Sequence, residues 1–339
     1  MRSASRTALL SSVLLVSFAM NASAQKASDP FLGRWALTIP GGGAGWLGIE
    51  DKGEYLDGSI LWGGGSVLPL ESVYLDDKGN LVVTRLNEVE RKDKTGKVVA
   101  TQRFTETIQG NFQGSDKNAL ALTRTVPNTN GKGAVVRDFT GKRIPDLPEA
   151  PNLKKVKFAD PIQLVNGKDL TGWTLTNPSA KNGWTVKDGN LTNEAPRQGG
   201  AYGNLRTEAE FEDFNLTLEV RVPAGGNSGV YLRGIYEVQV EDSYGKGLDS
   251  HHMGALYSRI TPSTSAEKPA GEWQSMDITL VDRHLTVILN GTKIIDNQPV
   301  LGCTGGALTS DEFKPGPIYL QGDHGSVEYR NIVLKPVKK

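Results

Sequence analysis

Short runs in which apolar and polar residues alternate recur along the whole chain, and long apolar repeats at helical spacing are absent. From Pro30 to Lys142 this rhythm predicts strands over 33–39, 45–50, 56–62, 72–76, 80–86, 97–109 and 119–124. Turn signals at Asp51-Lys52-Gly53, Asp76–Gly79 and Lys94–Gly96 separate them. The expectation for 28–143 is a small all-β domain, a barrel or curled sheet. Pro145, Pro148 and Pro151 then recur every third residue, which predicts an extended linker over 144–157. Strand patterns resume at 162–165, 172–175, 184–187, 190–193, 201–207 and 214–222. They continue at 255–259, 271–281, 285–289, 293–296, 316–321 and 326–336. Many strands without helices between them predict an antiparallel two-sheet sandwich of jelly-roll type over 158–339.

One stretch gathers chemistry. Between Asn227 and Asp242 two alternating runs flank Gly234, Ile235 and Tyr236, and a turn there sets Arg233 opposite Glu237 and Tyr231 opposite Gln239. Val230, Leu232, Val238 and Val240 then take the other face, as a half-buried strand pair requires. One face feeds a core, while the other offers a phenol, a guanidinium, a carboxylate and an amide, groups that grip a polyhydroxylated ligand. The plainer alternative is a cross-strand ion pair on a wet sheet face, worth about 0.2–1 kcal/mol.

Composition narrows the classes. Basic and acidic residues balance at 38 each among 339, so no basic excess marks a nucleic-acid or anionic-lipid surface. Arg2 and Arg6 precede an apolar run from Ala8 to Met20 that ends at Ala22-Ser23-Ala24, the pattern of an export leader over 1–24. That run is too short to span a bilayer and no later stretch qualifies, so a secreted or periplasmic address is expected. Cys303 is the only cysteine, which excludes an internal disulfide, and it reads as a small packed residue in a glycine-bounded turn. Asp249, His251 and His252 lie close in sequence, but adjacent histidines on a strand face opposite ways. No cofactor is called for, and a divalent cation is left open.

Several motifs follow one another in the second half. They are Leu164-Val165-Asn166-Gly167-Lys168-Asp169-Leu170-Thr171-Gly172-Trp173, Trp184-Thr185-Val186-Lys187-Asp188-Gly189-Asn190-Leu191, Asp213-Phe214-Asn215-Leu216 and Asn227-Ser228-Gly229-Val230-Tyr231-Leu232-Arg233. Tyr236-Glu237-Val238-Gln239-Val240, Gly254-Ala255-Leu256-Tyr257, Lys268-Pro269-Ala270-Gly271-Glu272-Trp273 and Leu289-Asn290-Gly291 come next, closed by Tyr319-Leu320-Gln321-Gly322-Asp323-His324-Gly325 and Tyr329-Arg330-Asn331-Ile332. In this order they resemble the 3-keto-disaccharide hydrolase domain family over about 158–336. The one departure is Gly322, which stands between Gln321 and Asp323. The resemblance implies a concanavalin-like jelly roll and cleavage of glycosides whose C3 hydroxyl a sugar 3-oxidoreductase has already oxidised.

A ketone at C3 acidifies the C2 proton, so such an enzyme needs a base, a clamp for the enolate oxygen and an acid for the leaving group. Arg233 suits the clamp through its fixed charge and fork of donors. Glu237 and His324 are the acid and base candidates in either order. Asn227, Tyr231, Gln239, Asp242 and Tyr257 are expected to hold hydroxyls, with Trp273 or Trp173 stacking on a sugar face. Tryptophans in a sandwich also serve as plain core, and a carbohydrate-binding module without catalysis is the alternative function.

Overall fold

The computed structural model describes residues 29–196 and 202–338; the leader-like segment 1–24 lies outside them. The chain divides into two compact units, one of residues up to 40, 47–60 and 68–144, the other of 41–46, 61–67 and 145–339. Apart from a single 3-10 turn at Asp29–Phe31, the regular elements are strands. No helix among the described residues is long and apolar enough to cross a membrane.

The first half builds one antiparallel sheet. Its order is Ala44–Asp51, Gly33–Thr38, Ala134–Ile144, Asp116–Pro127, Val98–Gln113, Leu81–Lys92, Ser72–Leu75, Leu56–Gly63 and Leu68–Pro69. Ala44–Asp51 also pairs with Leu56–Gly63, which closes the sheet into a barrel and leaves most of its strands without a free edge. Trp35, Leu37, Leu81, Val83, Ile108 and Leu120 are buried within it. The strand Ala134–Ile144 escaped the hydropathy pattern because only Phe139, Gly141 and Ile144 along it are buried. With most of its positions exposed, it shows little alternation.

The second unit is a two-sheet sandwich. The larger sheet runs Trp184–Lys187, Asn190–Asn193, Val327–Pro336, Phe214–Arg221, Gln274–Val281, His284–Leu289 and Thr292–Pro299, with Ile162–Gln163 also pairing to Val327–Pro336. The smaller runs Trp173–Leu175, Leu205–Thr207, Tyr319–Leu320, Asn227–Leu232 and Tyr236–Glu241. Alternation in Phe214–Arg221 sends Phe214, Leu216, Leu218 and Val220 into the core and leaves Asn215, Thr217, Glu219 and Arg221 half-exposed. Each such side chain contributes about 1.5–3 kcal/mol by leaving water. The sheets also meet through a polar contact, the Ser228 hydroxyl lying 2.8 Å from the Tyr329 hydroxyl.

In the strands Asn227–Leu232 and Tyr236–Glu241 every residue but Asn227 and Glu241 is buried. An alternating strand packed on one side only would bury half its residues. Both faces of this pair are therefore covered, one by the apolar core and the other by loops that wall a cavity.

The predicted strand 255–259 is not one. That segment makes isolated bridges, and its backbone exchanges hydrogen bonds with Glu237 and Gln239. It covers the edge of the smaller sheet and carries Tyr257 to the cavity.

Candidate active site

The hairpin register sets the site, and it differs from the expected one. Tyr231 pairs with Glu237, Gly229 with Gln239, and Leu232 with Tyr236. The turn begins earlier than expected because Arg233 (φ 54°) and Gly234 (φ 67°) both adopt the left-handed region, and the Ile235 N–H closes it on the Leu232 carbonyl at 3.1 Å. The shift moves the pairing by two positions in all, so each side chain keeps its face. Arg233, however, drops out of the ladder and into the turn.

That displacement removes Arg233 from the cavity. Its guanidinium is buried and donates to the carbonyls of Glu312 (2.8 Å) and Lys314 (3.1 Å from Nε). Trp273 is also elsewhere, its ring held between the guanidinium groups of Arg221 at 4.7 Å and Arg330 at 4.1 Å. Asp242 braces a turn by accepting from the Gly225 N–H at 2.7 Å. Trp173 is core, its indole N–H given to the Leu164 carbonyl. All four were expected to touch ligand, and in each the fold has already used the polar group or the ring.

The other expected residues converge. Asn227, Tyr231, Glu237, Gln239, Tyr257 and His324 line one cavity of about 290 Å³, near the lower end of the range for small-molecule sites. Its floor is a lattice made by three neighbouring strands. One row carries Glu237, Tyr231 and Tyr319; the next carries Gln239, Gly229 and Gln321, with the Gln321 N–H bonded to the Gly229 carbonyl at 3.0 Å. Asn204, Gly305 and Gly306 complete much of the wall. A larger groove of about 440 Å³ lies by Arg221, Glu328, Lys187 and Glu194, but those four groups already pair with one another as ions.

Glu237 is the unusual group on the floor. It is 3% exposed, and burial pushes its carboxyl up to about 8 with help from the Asp323 charge, while the Tyr231 hydroxyl beside it acts the other way. Gly229 makes room for it, since a Cβ there would stand 2.2 Å from Glu237 Oε1. The Tyr231 phenol has one proton and donates it to the Gly305 carbonyl at 2.8 Å. Tyr231 stacks on Tyr319 with centroids 4.1 Å apart, which fixes the phenol in place. Thr304 anchors the loop bearing Gly305: its backbone N–H donates to the Ile235 carbonyl, and its hydroxyl accepts from the Glu237 N–H at 2.9 Å.

At the exposed rim, His324 Nδ1 lies 2.6 Å from Asp323 Oδ1. That hydrogen bond and the negative charge hold the imidazole above its ordinary value, against partial burial. Burial alone would raise the Asp323 carboxyl, but the His324 hydrogen bond and charge carry it below the usual range. Two asparagines pin the loop. The fully buried Asn193 donates to the carbonyls of Gly322 (2.8 Å) and Gly325 (2.9 Å), and Asn204 accepts from the N–H groups of Gly322 (2.7 Å) and Asp323 (3.2 Å). Gly322 cannot carry a side chain, because a Cβ would meet Trp184 Nε1 at 2.6 Å and the Gly203 carbonyl at 2.7 Å. The inserted glycine is what lets this loop close on the sandwich.

Asp249, His251 and His252 do not assemble a metal shell. His251 bonds Asp249 through Nδ1 (2.6 Å) and Ser66 through Nε2 (2.8 Å), and His252 Nδ1 bonds the Gly247 carbonyl at 2.7 Å. No group of three or more metal-binding side chains occurs among the described residues. Cys303 is packed, and burial pushes its thiol up to about 12.

Sequence reasoning missed Tyr319, Gln321, Asp323, Asn193 and Asn204. The signal for the first two was present, since Tyr319 and Gln321 stand two apart in a strand pattern and so share a face.

Comparison with known proteins places this second unit. A 3-keto-disaccharide hydrolase from Bacteroides thetaiotaomicron is 29% identical over 34% of this chain and 51% of its own length. The chain thus spans about half of that curated relative. A crystal structure from Parabacteroides distasonis, provisionally described as a glycosyl hydrolase, is 31% identical and covers 52% of this chain and 83% of its own, with a TM-score of 0.44. Another from the same organism, described in the same terms, is 22% identical over 52% of this chain and 94% of its own, with a TM-score of 0.42. The family profile described as the 3-keto-alpha-glucoside-1,2-lyase-like domain matches residues 160–335, just over half of the 339, and the protein belongs to that family.

Proposed function

We propose that the protein cleaves the glycosidic bond of 3-keto glycosides by elimination followed by hydration, with His324 as base and Glu237 as acid. The observation that carries this reading is one cavity lined both by a buried carboxyl that keeps its proton near neutral pH and by an imidazole oriented by a carboxylate. Ordinary glycosidases pair a protonated carboxyl with an ionised one; here the second carboxyl of the lining, Asp323, is engaged by His324, so the imidazole stands where the free carboxylate would.

In the elimination, His324 Nε2, left open while Nδ1 faces Asp323, takes the proton from C2 and the electron pair forms the C2–C3 enolate. The enolate collapses to restore the C3 carbonyl. A C1–C2 double bond forms, the C1–O bond breaks, and the departing oxygen takes the Glu237 proton. In the hydration the roles reverse: the Glu237 carboxylate takes a proton from water as its oxygen adds to C1, and the imidazolium returns a proton to C2. Charge that builds on the C3 oxygen is left to neutral donors of the lining, Asn227 and Tyr257 among them, rather than to a guanidinium.

Two further points belong to this proposal. An oxidoreductase acting on the sugar C3 hydroxyl must supply the substrate, because the chemistry begins from a ketone. The leader-like segment 1–24 supports a secreted or periplasmic setting.

The test is incubation of the full chain in deuterated water with a 3-keto glucoside and with the same glucoside unoxidised, followed by NMR. Cleavage of the keto sugar alone, with deuterium at C2 of the product, is expected. Equal cleavage of both sugars, or cleavage without deuterium at C2, rules out elimination.

A further inference from the structure

Two carboxamide oxygens on the cavity floor have no hydrogen-bond partner among the described residues. Gln239 is 2% exposed and Gln321 is 8% exposed, and in each the buried carboxamide oxygen accepts no hydrogen bond. Both residues line the same cavity. A buried amide without a partner is costly, so a fold retains one where something outside the chain completes it.

Their placement is regular. Gly229 pairs with Gln239 on one side and accepts the Gln321 N–H on the other, so the two glutamines stand two strand spacings apart, about 10 Å between backbones. The glycine between them has no side chain, and the Glu237 carboxyl occupies that space. The proposed acid is therefore flanked by two carboxamides whose oxygens have no partner. Each presents an acceptor and donors, the complement of a hydroxyl, which is both donor and acceptor. A purely apolar ligand would leave both amides as they are, and an anion could not donate to their open oxygens.

We infer that Gln239 and Gln321 form the specificity-determining pair of this site, binding hydroxyls at opposite ends of one sugar ring so that its glycosidic oxygen lies over Glu237. This rests on the glycoside reading but makes a demand of its own: hydroxyls the reaction never touches should govern affinity.

The experiment uses the full chain, its Gln239→Met and Gln321→Met variants, and methyl α-D-glucopyranoside with each of its monodeoxy analogues, titrated by NMR. Methionine keeps the length of the side chain and removes the amide. In the unaltered protein, loss of a gripped hydroxyl should weaken binding about 3- to 10-fold. In the matching methionine variant the same deoxy analogue should bind as well as its parent, which identifies the pair in contact. Melting adds a readout that a structural role would move the other way. Relieved of an unpaired buried amide, each variant should melt about 2–4 °C higher. The inference is overturned if the glucoside does not bind, if every deoxy analogue loses equally in all three proteins, or if the variants melt lower with affinity unchanged. Failure of the glycoside reading looks different: the 3-keto sugar would go uncleaved by the unaltered protein whatever the glutamines bind.

Discussion

Among the described residues three glutamates are almost wholly buried, and one of them has no cation acting on its carboxyl. In the barrel, Glu106 is 1% exposed and paired with Arg85 at 2.9 Å and with Arg124. In the sandwich, Glu312 accepts from the Tyr236 hydroxyl (2.9 Å) and the Cys303 N–H (3.1 Å); burial raises its carboxyl too, but the Tyr236 hydrogen bond and the charges of Arg259, Arg283 and Arg233 oppose that rise. Glu237 is equally buried, has a tyrosine hydroxyl beside it as Glu312 does, and faces no arginine. The charge that acts on it is that of Asp323, of the same sign. The difference lies in what the fold does with a carboxyl. Where the fold needs one as a joint it supplies donors, and where it withholds them the proton stays on the acid and can be given away.

Exchanging each acid for its amide should separate the two roles most widely. Glu237→Gln is expected to lower kcat on a 3-keto glucoside by about 10²–10⁴-fold, the usual contribution of a positioned acid. Its melting temperature should hold or rise, because no partner is stranded. Glu312→Gln should do the opposite. The amide has one accepting oxygen where the carboxylate has two, so either the Cys303 N–H or the Tyr236 hydroxyl loses its acceptor; a buried donor left unpaired costs about 1–3 kcal/mol, with kcat changed only a few-fold. Calorimetry and initial rates on the pair decide it, and equal loss of activity in both would erase the distinction.

Part of this was legible before any coordinates. Period-two alternation put Tyr231, Glu237 and Gln239 on one face, and a change of register by two positions could not move them off it. The architecture followed from many strands without helices. What stayed hidden was whether a given polar or aromatic group had already been used by the fold. Arg233, Asp242 and Trp273 have the right chemistry for a sugar site, and each is taken, by carbonyls, by a turn N–H and by two arginines. Gln321 and Asn204 stand one residue outside the ends of strands far off in sequence, so their meeting with Gly229 and with the His324 loop depends on strand order, which alternation does not encode.

Arg233 gives a smaller and cleaner contrast with Glu237. It holds a left-handed backbone, which costs a residue with a Cβ roughly 1–2 kcal/mol, and its buried guanidinium offsets this by filling carbonyls of Glu312 and Lys314. Arg233→Ala keeps the strained backbone and loses the hydrogen bonds, so it should lower stability by about 3 kcal/mol. Arg233→Gly relieves the strain and should lose less. KM for a keto glucoside should be unchanged in whatever fraction remains folded. A raised KM at normal stability would return Arg233 to the site.

The finest test compares the two titrating groups that the cavity brings together. The active form needs Glu237 protonated and His324 neutral. The value of kcat/KM should therefore rise as pH climbs through the His324 value, which Asp323 holds above the ordinary one, and fall as pH passes about 8 and Glu237 loses its proton. Asp323→Asn removes the hydrogen-bonded charge that raises His324 and the like charge that helps raise Glu237, so both limbs of the bell should move to lower pH together. If His324 and Glu237 exchanged roles, the active form would need an imidazolium and a carboxylate. The two limbs would then belong to the opposite residues, and Glu237→Gln would abolish the acid limb instead of the alkaline one. Pre-steady-state rates of Glu237→Gln across pH distinguish the two assignments, because the surviving limb is that of His324, rising with pH if it is the base and falling if it is the acid.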